Sequence, residues 1–106
     1  MAVITVTKDN FETEVLSSTV PVLVDFNATW CGPCRMLKPV IEEIAANNTD
    51  FKVCAIDVDE EDEIAAQYEV SSIPCLVVFE NGKEVRRNIG YQPKEDIENL
   101  VRGTNA

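Results

Sequence analysis

The stretch Val22-Leu23-Val24-Asp25-Phe26-Asn27-Ala28-Thr29-Trp30-Cys31-Gly32-Pro33-Cys34-Arg35-Met36-Leu37 decides the fold, because its hydrophobic pattern changes character halfway along. Val22 to Phe26 is apolar and β-branched, as a buried strand requires, with the second, central strand read over 21–26. Met36, Leu37, Val40, Ile41 and Ile44 then recur at helical spacing, so a helix is expected over about 34–46. Cys31 and Cys34 fall at the junction. A helix start leaves N–H groups unpaired and carries the positive end of the dipole, and both stabilise a thiolate, the reactive form of cysteine. Gly32 leaves room for a close partner, and Pro33 has its φ preset for a first helical turn. Two thiols three positions apart have the chemistry of a reversible disulfide. A structural disulfide or half of a zinc site uses the same spacing, but a βα context in an intracellular-looking chain favours the redox reading.

Outward from this segment, strands and helices alternate. A first strand is expected near 3–6, then a helix around 10–16 that Thr7 or Asp9 would cap. Pro39 lies inside the long helix, removes one hydrogen bond and is expected to kink it; Asn47-Asn48-Thr49-Asp50 end that helix. A third strand near 51–58 leads to Asp59, a candidate N-cap for a short helix over 61–68. Cys75-Leu76-Val77-Val78-Phe79, the turn Asn81-Gly82 and residues 83–89 read as an antiparallel hairpin. Pro93 opens a final helix with Ile97, Leu100 and Val101 as its apolar stripe. The pattern is α/β, with a mixed sheet whose first strands pair in parallel.

Composition narrows the functional classes. The chain has 106 residues, enough for one domain with a single core and too few for a second. Nine basic and nineteen acidic residues give a net charge of −10, which opposes nucleic-acid binding and suits either solubility or steering onto a basic partner. There is no histidine, so Ser-His-Asp, Cys-His and Cys₂His₂ chemistry are excluded. No apolar run approaches the roughly 20 residues that a membrane-spanning helix needs. Residues 1–6 lack a basic segment and read as a strand rather than a signal peptide, so a cytoplasmic location is expected, an organelle being left open.

The Trp30-Cys31-Gly32-Pro33-Cys34 sequence resembles the active site of thioredoxins. Asp25, Ser72-Ile73-Pro74, Gly82 and Gly90 also fall where that family has them, and the resemblance runs from about residue 2 to 102. It implies a thioredoxin fold, a central mixed five-stranded sheet flanked by four helices. It implies a general protein-disulfide reductase in which Cys31 attacks a client disulfide and Cys34 resolves the mixed disulfide. Asp25 would assist deprotonation of Cys34, the more buried thiol. The Ile73–Pro74 bond would be cis, with Trp30, Gly32, Pro33, Ile73, Pro74, Ile89 and Gly90 forming the docking surface. No cofactor beyond the Cys31–Cys34 disulfide is implied. The expected partners are disulfide-containing proteins and a separate thioredoxin reductase, NADPH- or ferredoxin-linked, because the chain has no nucleotide-binding glycine motif. A monomer suffices.

The chain departs from its family at three positions. Asn27 stands where many members have an aromatic residue, and Ala55 where a lysine often lies beside the buried aspartate; without that cation Asp25 should hold its proton more tightly. Cys75 replaces the usual threonine after the cis-proline, close to the active site, as packing or as a regulatory thiol. Cys54 reads as buried strand filler; a metal or cluster site built from all four cysteines is disfavoured by their scattered spacing. Two readings from other classes use the same surface: a redox-silent binding module, and a thiol oxidase or isomerase. Gly32-Pro33 favours the reductant over the oxidising relatives.

Overall fold

The alternating apolar runs become five strands and four helices in the computed structural model, which describes residues 2–104. The strands are β1 (Ile4–Thr5), β2 (Val22–Asn27), β3 (Lys52–Asp57), β4 (Cys75–Glu80) and β5 (Lys83–Ile89). The helices are α1 (Glu12–Leu16, wound in the wide π form), α2 (Gly32–Ala46), α3 (Asp62–Gln67) and α4 (Lys94–Arg102). The sheet order is β1-β3-β2-β4-β5. β1 and β2 both run parallel to β3, whereas β4 runs antiparallel to β2 and to β5. The sheet is therefore mixed, as expected, and β2 lies at its centre.

Alternation along the central strands sends neighbouring residues to opposite faces. Val22, Val24 and Phe26, with Cys54, Ile56, Cys75, Val77 and Phe79, pack under Phe11 and Val15 of the α1 region and Ile64 of α3. Leu23, Val53, Leu76 and Val78 pack on the other face against Leu37, Ile41 and Ile44 of α2 and Ile97 and Val101 of α4. Leu23, Leu37, Ile44, Leu76 and Ile97 have no exposed surface. Each such side chain contributes about 1.5–3 kcal/mol through burial.

Local signals explain most element ends. Cys31 is extended (φ −85°, ψ 116°) and caps α2, with Gly32 and Pro33 in the first turn. The helix is continuous through Pro39, which has no N–H to offer the Arg35 carbonyl. Asn48 closes its far end, donating to the Ile44 carbonyl at 3.0 Å and accepting from the Asp50 and Phe51 amides. At the C-terminus of α4, Gly103 adopts the left-handed conformation, and the Arg86 guanidinium donates to the Leu100 and Val101 carbonyls at 2.6 and 3.0 Å.

Two capping expectations fail. The helix after β3 starts at Asp62 behind Glu61, with no side-chain cap; the Asp59 carboxylate instead accepts a bond from Trp30. Nor does Thr7 or Asp9 cap α1, because Thr7 and Asn10 close a turn of their own: the Thr7 amide donates to Asn10 Oδ1 at 2.7 Å and the Thr7 carbonyl accepts from the Asn10 amide. In both places a competing donor took the side chain that the pattern assigned to the helix: the distant Trp30 indole for Asp59, and the Asp9 amide, 3.2 Å away, for the Thr7 hydroxyl.

The β4–β5 turn has positive φ at both central residues, Asn81 (54°) and Gly82 (79°), as the Asn-Gly pair requires. A β-carbon at Gly82 would stand 2.8 Å from the Leu16 carbonyl oxygen. Gly82→Ala is expected to destabilise the protein by about 1–3 kcal/mol. A lower midpoint with unchanged slope in urea unfolding is the expected result; an unchanged midpoint would show that the turn relaxes freely.

Candidate active site

The C-terminal end of β2 delivers the chain, through Ala28, Thr29 and Trp30, to the start of α2, and there Cys31 and Cys34 form a disulfide with Cα atoms 5.2 Å apart. The Cys34 amide, one of the unpaired donors of the first helical turn, points at Cys31 Sγ from 3.2 Å. A thiolate at Cys31 would accept that same bond and lie at the positive end of the helix dipole. Cys31 Sγ lies 3.9 Å from the Ile73 carbonyl oxygen. The expected difference in burial between the thiols is absent in this oxidised form. Both are 5 % exposed, since the disulfide holds them together under Ala28, Val58 and Ile73.

The remaining site residues gather from three parts of the fold. The Ile73–Pro74 peptide is cis. The Pro74 carbonyl accepts from the Gly90 amide at 2.8 Å, which brings Ile89 and Gly90 beside Ile73. Gly90 has φ +96°, a conformation that L side chains seldom adopt. Ile89 is 53 % exposed and Trp30 67 %, so Trp30 is no core residue; its indole N–H donates to Asp59 Oδ2 at 2.7 Å. Pro33 is exposed and Gly32 half-buried with open space above it, which leaves room around the disulfide. Asp59 is the one member of this group to which the sequence pattern gave a different place, as a helix cap. It sits in an acidic run whose pattern says nothing about an indole.

Asp25 lies on the α2 face of β2, in line with Leu23 and opposite Ala55 of β3. It is 5 % exposed, and its Oδ1 has no hydrogen-bond partner. Burial pushes its carboxyl up to about 7, and the Asn27 amide opposes this. That amide bonds the Asp25 main-chain carbonyl at 3.0 Å, and Oδ1 of the carboxylate stays without a donor. No basic group offsets the burial, in line with alanine at position 55.

Cys75 and Cys54 face away from this site. Alternation turns both onto the α1/α3 face, where they are 1 % and 0 % exposed in one apolar cluster. Burial pushes the Cys54 thiol up to about 12, and raises that of Cys75, with Arg87 opposing and Glu84 and Asp25 adding to the rise. Both are thus poor nucleophiles. Among the described residues no group of three or more His, Cys, Asp or Glu side chains is arranged to hold a metal ion. Nor is any helix long and apolar enough to cross a membrane.

A mixed sheet carrying a Cys-x-x-Cys disulfide at a helix N-terminus defines a thiol-disulfide oxidoreductase. The sequence profile of the Thioredoxin family matches residues 2–103. A thioredoxin of Mycobacterium tuberculosis is 52 % identical over 94 residues, covering 88 % of this chain and 81 % of that one. One of Staphylococcus aureus is 46 % identical over 102 residues, covering 95 % and 96 %. The solved structure of a mutant thioredoxin from Halobacterium salinarum superposes with a TM-score of 0.87 at 37 % identity, covering 99 % of this chain and 92 % of its own. The chain belongs to the thioredoxin family, is a protein-disulfide oxidoreductase, and carries its redox centre as a disulfide rather than as a bound cofactor.

The Asp25 carboxyl makes stability depend on pH. Its folded value of about 7 lies above the ordinary 3.8, so between these values the folded state binds more protons than the unfolded one. Stability therefore falls as pH rises from about 4 to about 7, by at most roughly 4 kcal/mol. Asp25→Asn is expected to unfold at higher urea concentration than the parent at about pH 8, with the gap closing towards about pH 4. A gap independent of pH would place the ionisation elsewhere.

Proposed function

We propose that this chain is a general protein-disulfide reductase and that Cys31, Cys34 and Asp25 carry the reaction. The observation that carries this reading is the bond from the Cys34 amide to Cys31 Sγ, which favours a thiolate at Cys31. In the dithiol form the Cys31 thiolate attacks one sulfur of a client disulfide; a new S–S bond forms, and the client's other sulfur leaves as thiolate and takes a proton. Cys34 loses its proton to Asp25, directly or through water, and attacks Cys31 Sγ. The Cys31–client S–S bond breaks as the Cys31–Cys34 bond forms, the client leaves with two thiols, and the two electrons it gained have come from this protein, which is left oxidised as the Cys31–Cys34 disulfide. A carboxyl near 7 changes charge where a base for this step is useful.

Trp30, Gly32, Pro33, Ile73, Pro74, Ile89 and Gly90 are the proposed docking surface, supported by the exposed apolar area of Trp30 and Ile89 and by the Ile73 carbonyl 3.9 Å from Cys31 Sγ. The whole chain acts as one domain and as a monomer. A separate thioredoxin reductase, NADPH- or ferredoxin-linked, restores the dithiol, with the acidic surface steering the encounter. Two unpaired cysteines suit a reducing compartment such as the cytoplasm. Cys75 and Cys54 fill the core and stay out of the cycle.

An anaerobic titration in dithiothreitol buffers, quenched in denaturant with an alkylating label and read at each cysteine by mass spectrometry, tests this. A single Cys31–Cys34 couple in the reducing range, with Cys54 and Cys75 labelled throughout, is expected. A strongly oxidising couple would assign an oxidase or isomerase, and Cys75 changing state with Cys31 would make it a regulatory thiol. Full biological activity of a Cys31→Ser, Cys34→Ser variant would leave only a binding role. In stopped-flow measurements Asp25→Asn should slow release of reduced client at least about tenfold, with little change in the initial attack. Equal slowing of both steps would remove Asp25 from the resolving step.

A further inference from the structure

One cavity of about 660 Å³ is not used by the docking surface. Ile73, Ile89 and Gly90 lie on the β4–β5 side of β2, whereas this cavity opens on the other side, between α2, β3 and β1. Asp25 and Cys34, both buried, form its floor, with half-buried Asn27 beside them. Val3, Val6, Ala55 and Ile41 supply apolar wall. Around the mouth stand the carboxylates Glu42, Asp57, Glu60 and Glu61 and the two cations Arg35 and Lys38. Arg35 is already engaged, donating from Nη1 to the Thr29 carbonyl at 3.1 Å.

The cavity thus has an anionic floor, an apolar middle and a rim in which carboxylates outnumber cations four to two. The floor carries the decisive feature: Asp25 Oδ1, buried and without a donor. A buried acceptor left unpaired destabilises the protein, and a ligand bearing an N–H donor relieves that cost on binding. The reach from Asp25 to the rim passes along methyl and methylene groups that an alkyl chain would cover. An anion would meet Asp25 and the rim carboxylates, and a neutral apolar molecule would leave Oδ1 unsatisfied.

We propose that this cavity is a binding site for a short linear aliphatic diamine, one ammonium on Asp25 Oδ1 and the other among the carboxylates of Asp57, Glu60 and Glu61. Such a ligand has the charged, apolar, charged order of the cavity itself. The charges facing Asp25 across the cavity are Lys38, Arg35 and Glu42 from α2, Asp57 from β3, and Glu60 and Glu61 from the loop before α3. Of these only the two cations oppose the ligand. Binding strengthens as the Asp25 carboxyl loses its proton, hence as pH rises through about 7. Alanine at position 55 is the specificity-determining residue, because a longer side chain there would fill the path to Asp25.

The test uses the oxidised full chain, so it does not depend on the proposed redox steps. The ¹⁵N-labelled protein, with the Asp25 carboxyl ¹³C also observed, is titrated with 1,4-diaminobutane, n-butylamine and 1,4-butanediol at about 0.15 M salt. Saturable shifts at Ala55, Val6, Asn27 and the Asp25 carboxyl with the diamine, weaker binding of the monoamine and none of the diol are expected. Asp25→Asn should weaken diamine binding about tenfold or more, and Ala55→Leu, checked for an unchanged spectrum outside the cavity, should abolish it. Shifts confined to Glu60 and its exposed neighbours and unaltered in Asp25→Asn would mean surface pairing alone and overturn the proposal. Absence of saturable shifts would do the same, as would equal binding of the diol.

Discussion

Everything in the site depends on α2 beginning where β2 ends. A helix start must find acceptors for N–H groups that have no partner within the helix. Here the Cys31 sulfur takes the Cys34 amide, so the atom that caps the helix is also the atom from which chemistry is proposed to start. The cap is held in place by packing rather than by its own strength. Leu37, Ile41 and Ile44 anchor the helix onto the sheet one to three turns further on, and the position of the sulfurs follows from that contact.

The same geometry imposes a cost. Leu23 and Asp25 point to one face of β2, so docking α2 on Leu23 puts the Asp25 carboxylate under the helix as well. Neither Ala55 opposite nor Asn27 two residues on supplies a donor to Oδ1, and burial raises the carboxyl to about 7. A carboxylate that destabilises the fold near neutral pH is also one that can exchange a proton there, and both properties have one physical origin.

The strands and the three longer helices were legible because their apolar periods are strong. Val22–Phe26 reads as a strand and Leu37, Ile41, Ile44 as a helix face without ambiguity. The caps were less legible. Asp59 had the right type and place for a cap, yet Trp30, twenty-nine residues earlier, took its carboxylate. The cysteines show the same division. Composition gives four equivalent thiols, and the alternation of β3 and β4 turns Cys54 and Cys75 to the face away from Cys31 and Cys34.

The sequence by itself determined the α/β alternation, the placement of two thiols at a helix start, the Asn81-Gly82 turn and a charged residue in a central strand. These are local properties, fixed by side-chain period and backbone preference over a few residues. Tertiary packing alone makes β4 run antiparallel to β2, ties Gly90 to Pro74 and so brings Ile89 beside the Ile73–Pro74 segment, and opens a cavity lined by both Asp25 and Ala55. Each of those joins residues far apart in the chain, and such contacts are set by how whole elements pack, which no short window of sequence records.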